Sequence, residues 1–359
     1  MAIGNQLQKF VLKRFFPFKD WITDLQNPKI LRADIVAGLT VALVLVPQSM
    51  AYAQLAGLPP YYGLYASFLP VAIASIFGSS RQLATGPVAV VSLLTAAALE
   101  PIASNDPTGY VAYAIMLAFL VGIFQLSLGL LRMGVLVDFL SHPVVTGFTN
   151  AAAIIIATSQ LSKLFGVSVV SAEHHYQTII NVLSESLVNT HTPTLLMGLL
   201  AIFLILLTRK ISTKYPAVLI SVVITTLISW YIQFETNYGG KVIGVVPDGL
   251  PTIQMPQIDF DQLINLGTVA IAISLIGFME AISIAKAMAT QTKQRLDADQ
   301  ELIGQGLSNI VSSFFQGYPV SGSFSRSAVN ISAGAVTGFA SVVTGLVVGI
   351  TLLFLTPLL

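Results

Sequence analysis

Ten apolar segments follow one another along this chain, and most of them are long enough to cross a membrane. They lie at about 35–55, 61–79, 87–104, 110–131, 140–161, 194–209, 216–232, 264–289, 300–316 and 334–356. A spanning helix needs about 20 mostly apolar residues. Only 9% of the residues are charged, against about 25% in a typical soluble domain, which leaves too few charges for a water-facing surface. The sequence therefore predicts an all-α polytopic membrane protein.

Two short helices are predicted to begin abruptly at stretches rich in Gly, Pro and Ser, one near residue 87 and one near residue 323. Pro87 suits the first position of a helix, where its missing N–H is no loss, and Thr85 and Gly86 expose backbone just before it. We expect a short extended strand before each of these half-helices. One early and one late broken helix are typical of an inverted-repeat transporter with a central site between them.

The basic residues predict the orientation of the chain, since cytoplasmic loops are enriched in Lys and Arg. With the N-terminus inside and the spans threaded alternately, all 17 Lys and Arg fall inside except Lys163, Lys241 and Arg326. Residues 1–33 are predicted to form a cytoplasmic N-terminal amphipathic arm on the membrane surface. There are no cysteines, which excludes disulfides and thiolate metal sites.

Arg326 is a permanent positive charge in the first turn of the second half-helix, among small hydroxylated residues. Anions bind well at helix N-termini, where free N–H groups and the positive end of the helix dipole converge. Ser323 and Ser325 add hydroxyl donors, and the guanidinium adds a donor fork suited to oxyanions. The pattern favours an anion site. The alternative is that Arg326 pairs with Glu280 or caps backbone carbonyls and touches no substrate.

Glu280 is the second charge that no loop can hold, and such residues usually face a partner or a wet cavity. Its helix carries a small and polar stripe, with Ile273, Ile276 and Phe278 on the opposite face: Ser274, Gly277, Glu280, Ser283 and Ala287. We interpret Glu280 as a carboxylate that couples transport to a proton or another cation. A structural Glu bonded to a neighbouring helix is the alternative.

The first span contributes a polar pair, Gln48 and Tyr52, which share a face because they are four residues apart. Pro47 frees a backbone carbonyl beside them. A Gln in the middle of a span is costly unless it is bonded. Gln48 is interpreted as lining the site, with an interhelical hydrogen bond as the alternative.

Three stretches together resemble the SulP/SLC26 family of anion transporters. Residues 47–65 (PQSMAYAQLAGLPPYYGLY) resemble the family's pattern around its first two spans, and residues 85–93 (TGPVAVVSL) resemble the start of its third span. Residues 301–330 (ELIGQGLSNIVSSFFQGYPVSGSFSRSAVN) resemble its ninth and tenth spans. The resemblance covers nearly the whole chain.

The resemblance implies a seven-plus-seven inverted repeat, the fold shared with nucleobase transporters, of which about eleven of fourteen spans are present here. Residues 34–131 would form spans 1–4 of a core domain, residues 132–262 spans 5–7 of a gate domain, and residues 263–359 spans 8–11 of the core. The last gate spans and a cytoplasmic STAS domain would be missing. We expect the 359-residue chain alone to be a partial one, which binds anion weakly and does not transport.

The resemblance also implies site residues, all of them substrate-binding except the ion-coupling Glu280: Gln48, Tyr52, Gly86, Val88, Ser323, Ser325, Arg326 and Glu280. Val88 would stand where motor-type relatives place an aromatic side chain. The core would carry the anion by moving against the gate like an elevator, and the full-length protein would be a homodimer.

Secondary transport of an inorganic oxyanion, sulfate with protons, is the leading functional hypothesis. Sodium-coupled bicarbonate transport and chloride/bicarbonate exchange are alternatives on the same scaffold. A nucleobase symporter fits less well, because a neutral base needs amide-like partners more than a fixed cation. A non-transporting membrane scaffold or a voltage-driven motor is the alternative from another class. We expect no enzyme, cofactor, metal site or nucleic-acid partner; the partners are the anion, a proton or sodium ion, and lipid.

Overall fold

The computed structural model describes residues 16–103, 106–135, 142–169, 172, 174–212, 216–244, 246–257 and 259–356. Its elements follow in chain order: α1 (Lys19–Ile22), α2 (Pro28–Leu55), α3 (Tyr61–Tyr65), α4 (Leu69–Phe77), β1 (Ala84–Gly86), α5 (Ala89–Ala103), α6 (Pro107–Leu130), α7 (His142–Ser159), α8 (Leu161–Phe165), α9 (His175–Asn189), α10 (Thr192–Ile211), α11 (Ala217–Ile232), α12 (Phe234–Tyr238), α13 (Leu263–Thr292), α14 (Ala298–Phe314), β2 (Ser321–Ser323), α15 (Phe324–Ser332) and α16 (Phe339–Ile350). A single 3₁₀ turn (Thr23–Gln26) precedes α2, and a π-helical turn (Thr351–Leu355) extends α16.

The chain divides into two compact units. Unit 1 comprises Met1–Val145 and Val246–Leu359, and unit 2 comprises Thr146–Val245. Four helices of the described residues are long and apolar enough to cross a membrane, namely α2, α6, α10 and α13. Several shorter apolar helices accompany them. The predicted all-α architecture is confirmed.

The strands before the two half-helices are also confirmed, and they pair with each other. β1 and β2 run antiparallel, with Ala84 opposite Ser323, Thr85 opposite Gly322 and Gly86 opposite Ser321. All six residues are buried. In an apolar interior every backbone N–H and C=O needs a partner, and each strand supplies partners to the other. The pairing therefore brings the start of α5 and the start of α15 together in unit 1.

Helix α2 begins earlier than the sequence predicted. Asn27 caps it by accepting a hydrogen bond from the Lys29 backbone N–H at 3.0 Å, and Pro28 occupies its first turn. Residues from Pro28 onward thus belong to a long helix, although they fall within the predicted arm at 1–33. Residues 1–15 of that arm lie outside the described residues.

A buried carboxylate joins α2 to the residues that precede α16. Asp34 is 0% exposed. It accepts hydrogen bonds from the backbone N–H groups of Val336 at 2.7 Å and Thr337 at 3.1 Å, and from the Thr337 hydroxyl. Three donors compensate the ionised group for its lost water.

Replacing Asp34 with alanine is expected to lower the free energy of unfolding by about 2–4 kcal/mol, because each buried donor left without a partner costs about 1–3 kcal/mol. Asp24→Ala is the matched control. Asp24 pairs with Arg81 at 3.2 Å, but its side chain is 38% exposed, and such surface pairs are worth about 0–1 kcal/mol. Denaturant titration of the purified protein measures both; equal losses would contradict the assigned role of Asp34.

Two stretches between predicted spans contain helix. The interval between the spans predicted at 140–161 and 194–209 holds α9, in which only Val182 is buried. The stretch from Lys286 to Glu301 mixes charge signs, but α13 continues to Thr292 and α14 begins at Ala298. Glu301 is only 2% exposed. Mixed charge in a sequence usually indicates solvent exposure. It did not indicate these two helix ends, nor that Glu301 is covered by a neighbouring loop.

Unit 2 is held by a few side-chain contacts between adjacent helices. The Ser221 hydroxyl on α11 donates to the Ala201 carbonyl on α10 at 3.0 Å. The His191 ring contacts the Thr194 hydroxyl at 2.7 Å and the Tyr238 carbonyl at 2.8 Å. These two contacts hold the His191 ring in place within unit 2.

Candidate functional site

The candidate site is defined as the paired strands β1 and β2, the half-helix starts that follow them, Arg326, and Gln48 on α2. Ser323 caps α15, since its hydroxyl accepts a hydrogen bond from the Arg326 backbone N–H at 3.5 Å. The Ser321 hydroxyl donates to the Gly277 carbonyl at 2.7 Å, which ties β2 to α13. The site is thus assembled from α2, α5, α13 and α15.

Arg326 lies at the centre of the candidate site and is 0% exposed. Its Nη2 donates to the Pro87 carbonyl at 2.8 Å, and its Nη1 makes a long hydrogen bond of 3.4 Å to Gln48 Oε1. Its Nε is buried and has no hydrogen-bond partner in the part of the chain that the structure describes. Among the described residues, no carboxylate forms an ion pair with this guanidinium. The buried positive charge is therefore held by neutral groups alone.

Gly86 lets the guanidinium approach the backbone of β1. Its φ is +146°, which L side chains rarely adopt, and an added Cβ would lie 3.3 Å from Arg326 Nη2. A side chain here would therefore strain the backbone and crowd the charged group. The prediction that Gly86 belongs to the site agrees with this geometry.

The other predicted substrate-binding residues differ in their burial and in how near they lie to Arg326. Tyr52 is half-buried one turn beyond Gln48 and lies within electrostatic reach of Arg326. The Ser323 and Ser325 hydroxyls are 3.4 Å apart, and Ser325 is exposed. Val88 is 5% exposed and packs in the hydrophobic core of unit 1. The structure therefore brings Tyr52, Ser323 and Ser325 near Arg326, while Val88 contributes to packing.

Glu280 lies on α13 and does not pair with Arg326. Its Oε2 is buried and has no hydrogen-bond partner. The two residues are still close enough to interact electrostatically. The alternative in which Arg326 and Glu280 form an ion pair is thus wrong for this structure.

The polar stripe predicted around Glu280 does not form one buried face. Ser274 and Gly277 are buried, but Ser283 and Ala287 are exposed. Ile273 and Phe278, predicted on the opposite face, are 1% and 2% exposed. Helix α13 has 30 residues, and successive turns pack against different neighbours, so a single stripe does not describe it.

Three buried polar residues near the candidate site were missed by the sequence reasoning: Glu301, Gln305 and Asn309. They lie on α14 at four-residue intervals and are 2%, 1% and 0% exposed. Residues four apart lie above one another on a helix. Gln305 and Asn309 lie within the predicted span at 300–316, where their spacing was a readable signal for a buried polar face, whereas Glu301 lies at its charged edge.

A separate cavity of about 920 Å³ lies in unit 1. Its lining carries both charge signs, including Arg81, Lys293, Asp297 and Asp299. None of the predicted site residues lines it. Its mixed charge does not single out one kind of ligand.

In a helical membrane fold, two half-helices that meet at a central site are typical of secondary transporters. The family model described as "Sulfate permease family" matches residues 31–359. The chain therefore belongs to the sulfate permease family, and it is a multi-pass integral membrane protein. This confirms the resemblance found in the sequence.

Two curated relatives show how far the similarity extends. The chain is 40% identical over 351 residues to "Sulfate transporter 4.1, chloroplastic" of Arabidopsis thaliana, covering 96% of this chain and 50% of that protein. It is 33% identical over 380 residues to "Sodium-independent sulfate anion transporter" of Bos taurus, covering 97% and 61%. The chain thus spans about half to three fifths of the length of these curated relatives.

Two solved structures share the fold. "The overall structure of SLC26A9" matches with a TM-score of 0.91 and 26% identity, covering 98% of this chain and 58% of that chain. "The transmembrane domain of a cyanobacterium bicarbonate transporter BicA" matches with a TM-score of 0.80 and 25% identity, covering 91% and 84%. The fold is therefore shared with that transmembrane domain and with a large part of the SLC26A9 chain.

Proposed function

We propose that the protein is a secondary active transporter of an inorganic oxyanion, and that it carries sulfate together with protons. The observation that supports this best is Arg326, a fully buried cation that has no carboxylate partner and no acceptor for its Nε among the described residues. A charge at mid-membrane depth costs about 2.5–3.5 kcal/mol on insertion scales. A bound anion would offset that cost and would accept from the free donor.

The half-helix starts add to the attraction of an anion. The first N–H groups of a helix have no intrahelical partner, and the positive end of the helix dipole lies there. In α15 the serine hydroxyls of Ser323 and Ser325 stand beside these groups. An oxyanion with several acceptor oxygens would be able to use the guanidinium, the hydroxyls and the backbone together.

Sulfate is the proposed substrate because the curated relatives named above are described as sulfate transporters. Bicarbonate is the second candidate, taken either with sodium or in exchange for chloride. The likeness to the membrane domain of a bicarbonate transporter supports it. Both substrates use the same candidate site, so a substrate assay separates them.

Transport is proposed to follow an elevator-type movement of the core, formed by residues 34–131 and 263–359, against a gate that includes residues 132–262. The N-terminus is placed on the cytoplasmic side, from the distribution of Lys and Arg. The full-length protein is proposed to act as a homodimer. Cross-linking in membranes tests the last point.

Glu280→Gln is expected to abolish stimulation of sulfate uptake by an inward proton gradient, because an amide cannot carry the proton. The buried Glu280 Oε2, which has no hydrogen-bond partner among the described residues, supports this proposed coupling role. The measurement is uptake of radiolabelled sulfate into proteoliposomes that contain the full-length protein, with and without the gradient.

Glu235→Gln serves as the matched control, because Glu235 is an exposed glutamate on α12. It is expected to keep gradient-driven uptake. Gradient-stimulated uptake by Glu280→Gln would contradict the coupling role. Bicarbonate or chloride flux without any sulfate uptake would keep the site and replace the substrate.

A further inference from the structure

Helix α14 presents its buried polar face to both strands of the candidate site. Glu301, Gln305 and Asn309 form this face. Two strands of three residues each are too short to fix their own register in isolation. The position of the strands therefore depends on what packs against them.

Asn309 pairs with the residue that leads into β2. Its Oδ1 accepts from the Val320 backbone N–H at 2.8 Å, and its Nδ2 donates to the Val320 carbonyl at 3.1 Å. The side-chain amide thus engages both backbone groups of one residue, as a neighbouring strand would. Because one partner is an obligate donor, the orientation of the amide is defined.

The Asn309 amide is itself held by a second helix. Its Nδ2 also donates to Gln125 Oε1 on α6 at 3.0 Å, and Gln125 Nε2 donates to the Ser274 carbonyl on α13 at 3.2 Å. Gln125 is 2% exposed. A buried amide with its hydrogen bonds satisfied has one favoured orientation, so Asn309 offers β2 a fixed partner.

Gln305 performs the corresponding role for β1. Its Nε2 donates to the Thr85 hydroxyl at 2.9 Å and to Glu301 Oε1 at 3.1 Å. The other oxygen of Glu301 accepts from the backbone N–H groups of Ser79 and Ser80, both at 2.9 Å. One face of α14 therefore makes hydrogen bonds to the loop before β1 and to the middle residue of β1.

These contacts determine the surroundings of Arg326. The strand β1 leads directly to the Pro87 carbonyl, which accepts from Arg326 Nη2, and β2 leads directly to the Ser323 cap and Arg326. A shift of either strand along α14 would change the distance between Pro87 and the guanidinium. It would also change the angle at which the free Nε points.

We propose that Gln305 and Asn309 are positioning residues of the anion site, each holding one of its two strands against α14. The proposal rests on the proposed function, since it concerns the affinity for the transported anion. Neither residue touches the anion. Both act by holding the strands in place. Together they determine the distance between the Pro87 carbonyl and the Arg326 guanidinium at the proposed anion site.

Asn309→Leu removes the hydrogen bonds that position β2 while keeping the side-chain size nearly constant. Isothermal titration of the full-length protein in nanodiscs, with sulfate and bicarbonate as probes, is expected to show at least a tenfold weaker affinity for the anion that the unchanged protein binds. Ser308→Ala is the matched control. Ser308 is equally buried on α14, but its hydroxyl donates to the Pro70 carbonyl at 2.8 Å and reaches neither strand. Its affinity is expected to stay within twofold.

Gln305→Glu is expected to make the anion affinity depend on pH, which the loss of a purely structural contact would not do. The new carboxyl group would face Glu301 Oε1, and two carboxyl groups in contact repel each other when both are ionised. At high pH the pair repels and β1 is displaced. At low pH a shared proton restores a donor at this position. The ratio of the variant's dissociation constant to that of the unchanged protein is expected to fall toward one as the pH is lowered from 8 to 5.

The outcomes separate the two proposals. If the unchanged protein binds neither sulfate nor bicarbonate, both are overturned. If it binds an anion and Asn309→Leu binds equally well, or if Gln305→Glu shows a ratio that does not depend on pH, only the positioning role is overturned. Should Asn309→Leu fail to fold, the Gln305→Glu profile alone decides.

Discussion

Replacing Arg326 with methionine is expected to weaken anion binding at least about 100-fold, because hydrogen bonds to a charged group contribute about 1.5–3 kcal/mol each and the anion would lose more than one. The variant is nevertheless expected to fold. Removing a buried charge relieves its desolvation, which offsets the lost contacts with Pro87 and Gln48. We therefore expect the midpoint of thermal unfolding without anion to stay within about 4 °C.

The combination of lost binding and retained stability distinguishes an anion site from a structural role. Calorimetric titration with sulfate measures the first quantity and thermal unfolding the second. Arg81→Met is the control, because Arg81 is partly exposed and pairs with Asp24, and we expect it to bind sulfate normally. Normal binding by Arg326→Met would place the anion elsewhere, and a large loss of stability would make Arg326 a structural residue.

A second large effect is expected where α6 and α14 meet. A Cβ added at Gly306 would lie 2.5 Å from the Leu126 backbone nitrogen and 2.9 Å from the Gly122 carbonyl oxygen. Because these atoms belong to the backbone of α6, they cannot rotate aside. Overpacking of a core costs about 1–3 kcal/mol, and Gly306→Val is expected to reach or exceed the top of that range.

Gly267→Ala on α13 is the matched control for Gly306→Val. An added Cβ at Gly267 meets no atom within 4 Å. Alanine is favoured over glycine within a helix by about 0.8–1 kcal/mol, so the control is expected to be neutral or slightly stabilising. Thermal unfolding of both variants checks the pair. An unfolding midpoint of Gly306→Val equal to that of the unchanged protein would show that the two helices can separate at small cost.

The half-helices and Arg326 were predictable from sequence because their signals are local. A Gly-Pro step before an apolar run and an arginine among serines each mark a helix start within a few residues. The strand pairing of β1 with β2 was not predictable in the same way. The two strands are separated by most of the chain, and neither contains a pattern that names its partner.

Glu301 shows where local reasoning fails. It lies in a stretch of mixed charge, which usually indicates solvent, yet the backbone of Ser79 and Ser80 covers it. No property of the residues around Glu301 reports that distant loop. Glu280 was recognised as a membrane-buried charge, but the surroundings assigned to it were wrong because they assumed one uniform helix face. The movement of the core against the gate stays a prediction.

The antiparallel pairing of β1 and β2 would also limit how the proposed site could release an anion. Each strand satisfies backbone groups of the other, and both strands are buried. Parting the two half-helices would leave those N–H and C=O groups bare in an apolar interior, at several kcal/mol each. Separating the two half-helices to release an anion would therefore be energetically unfavourable. If the protein transports an anion as proposed, β1 and β2 are therefore expected to stay paired throughout the transport cycle.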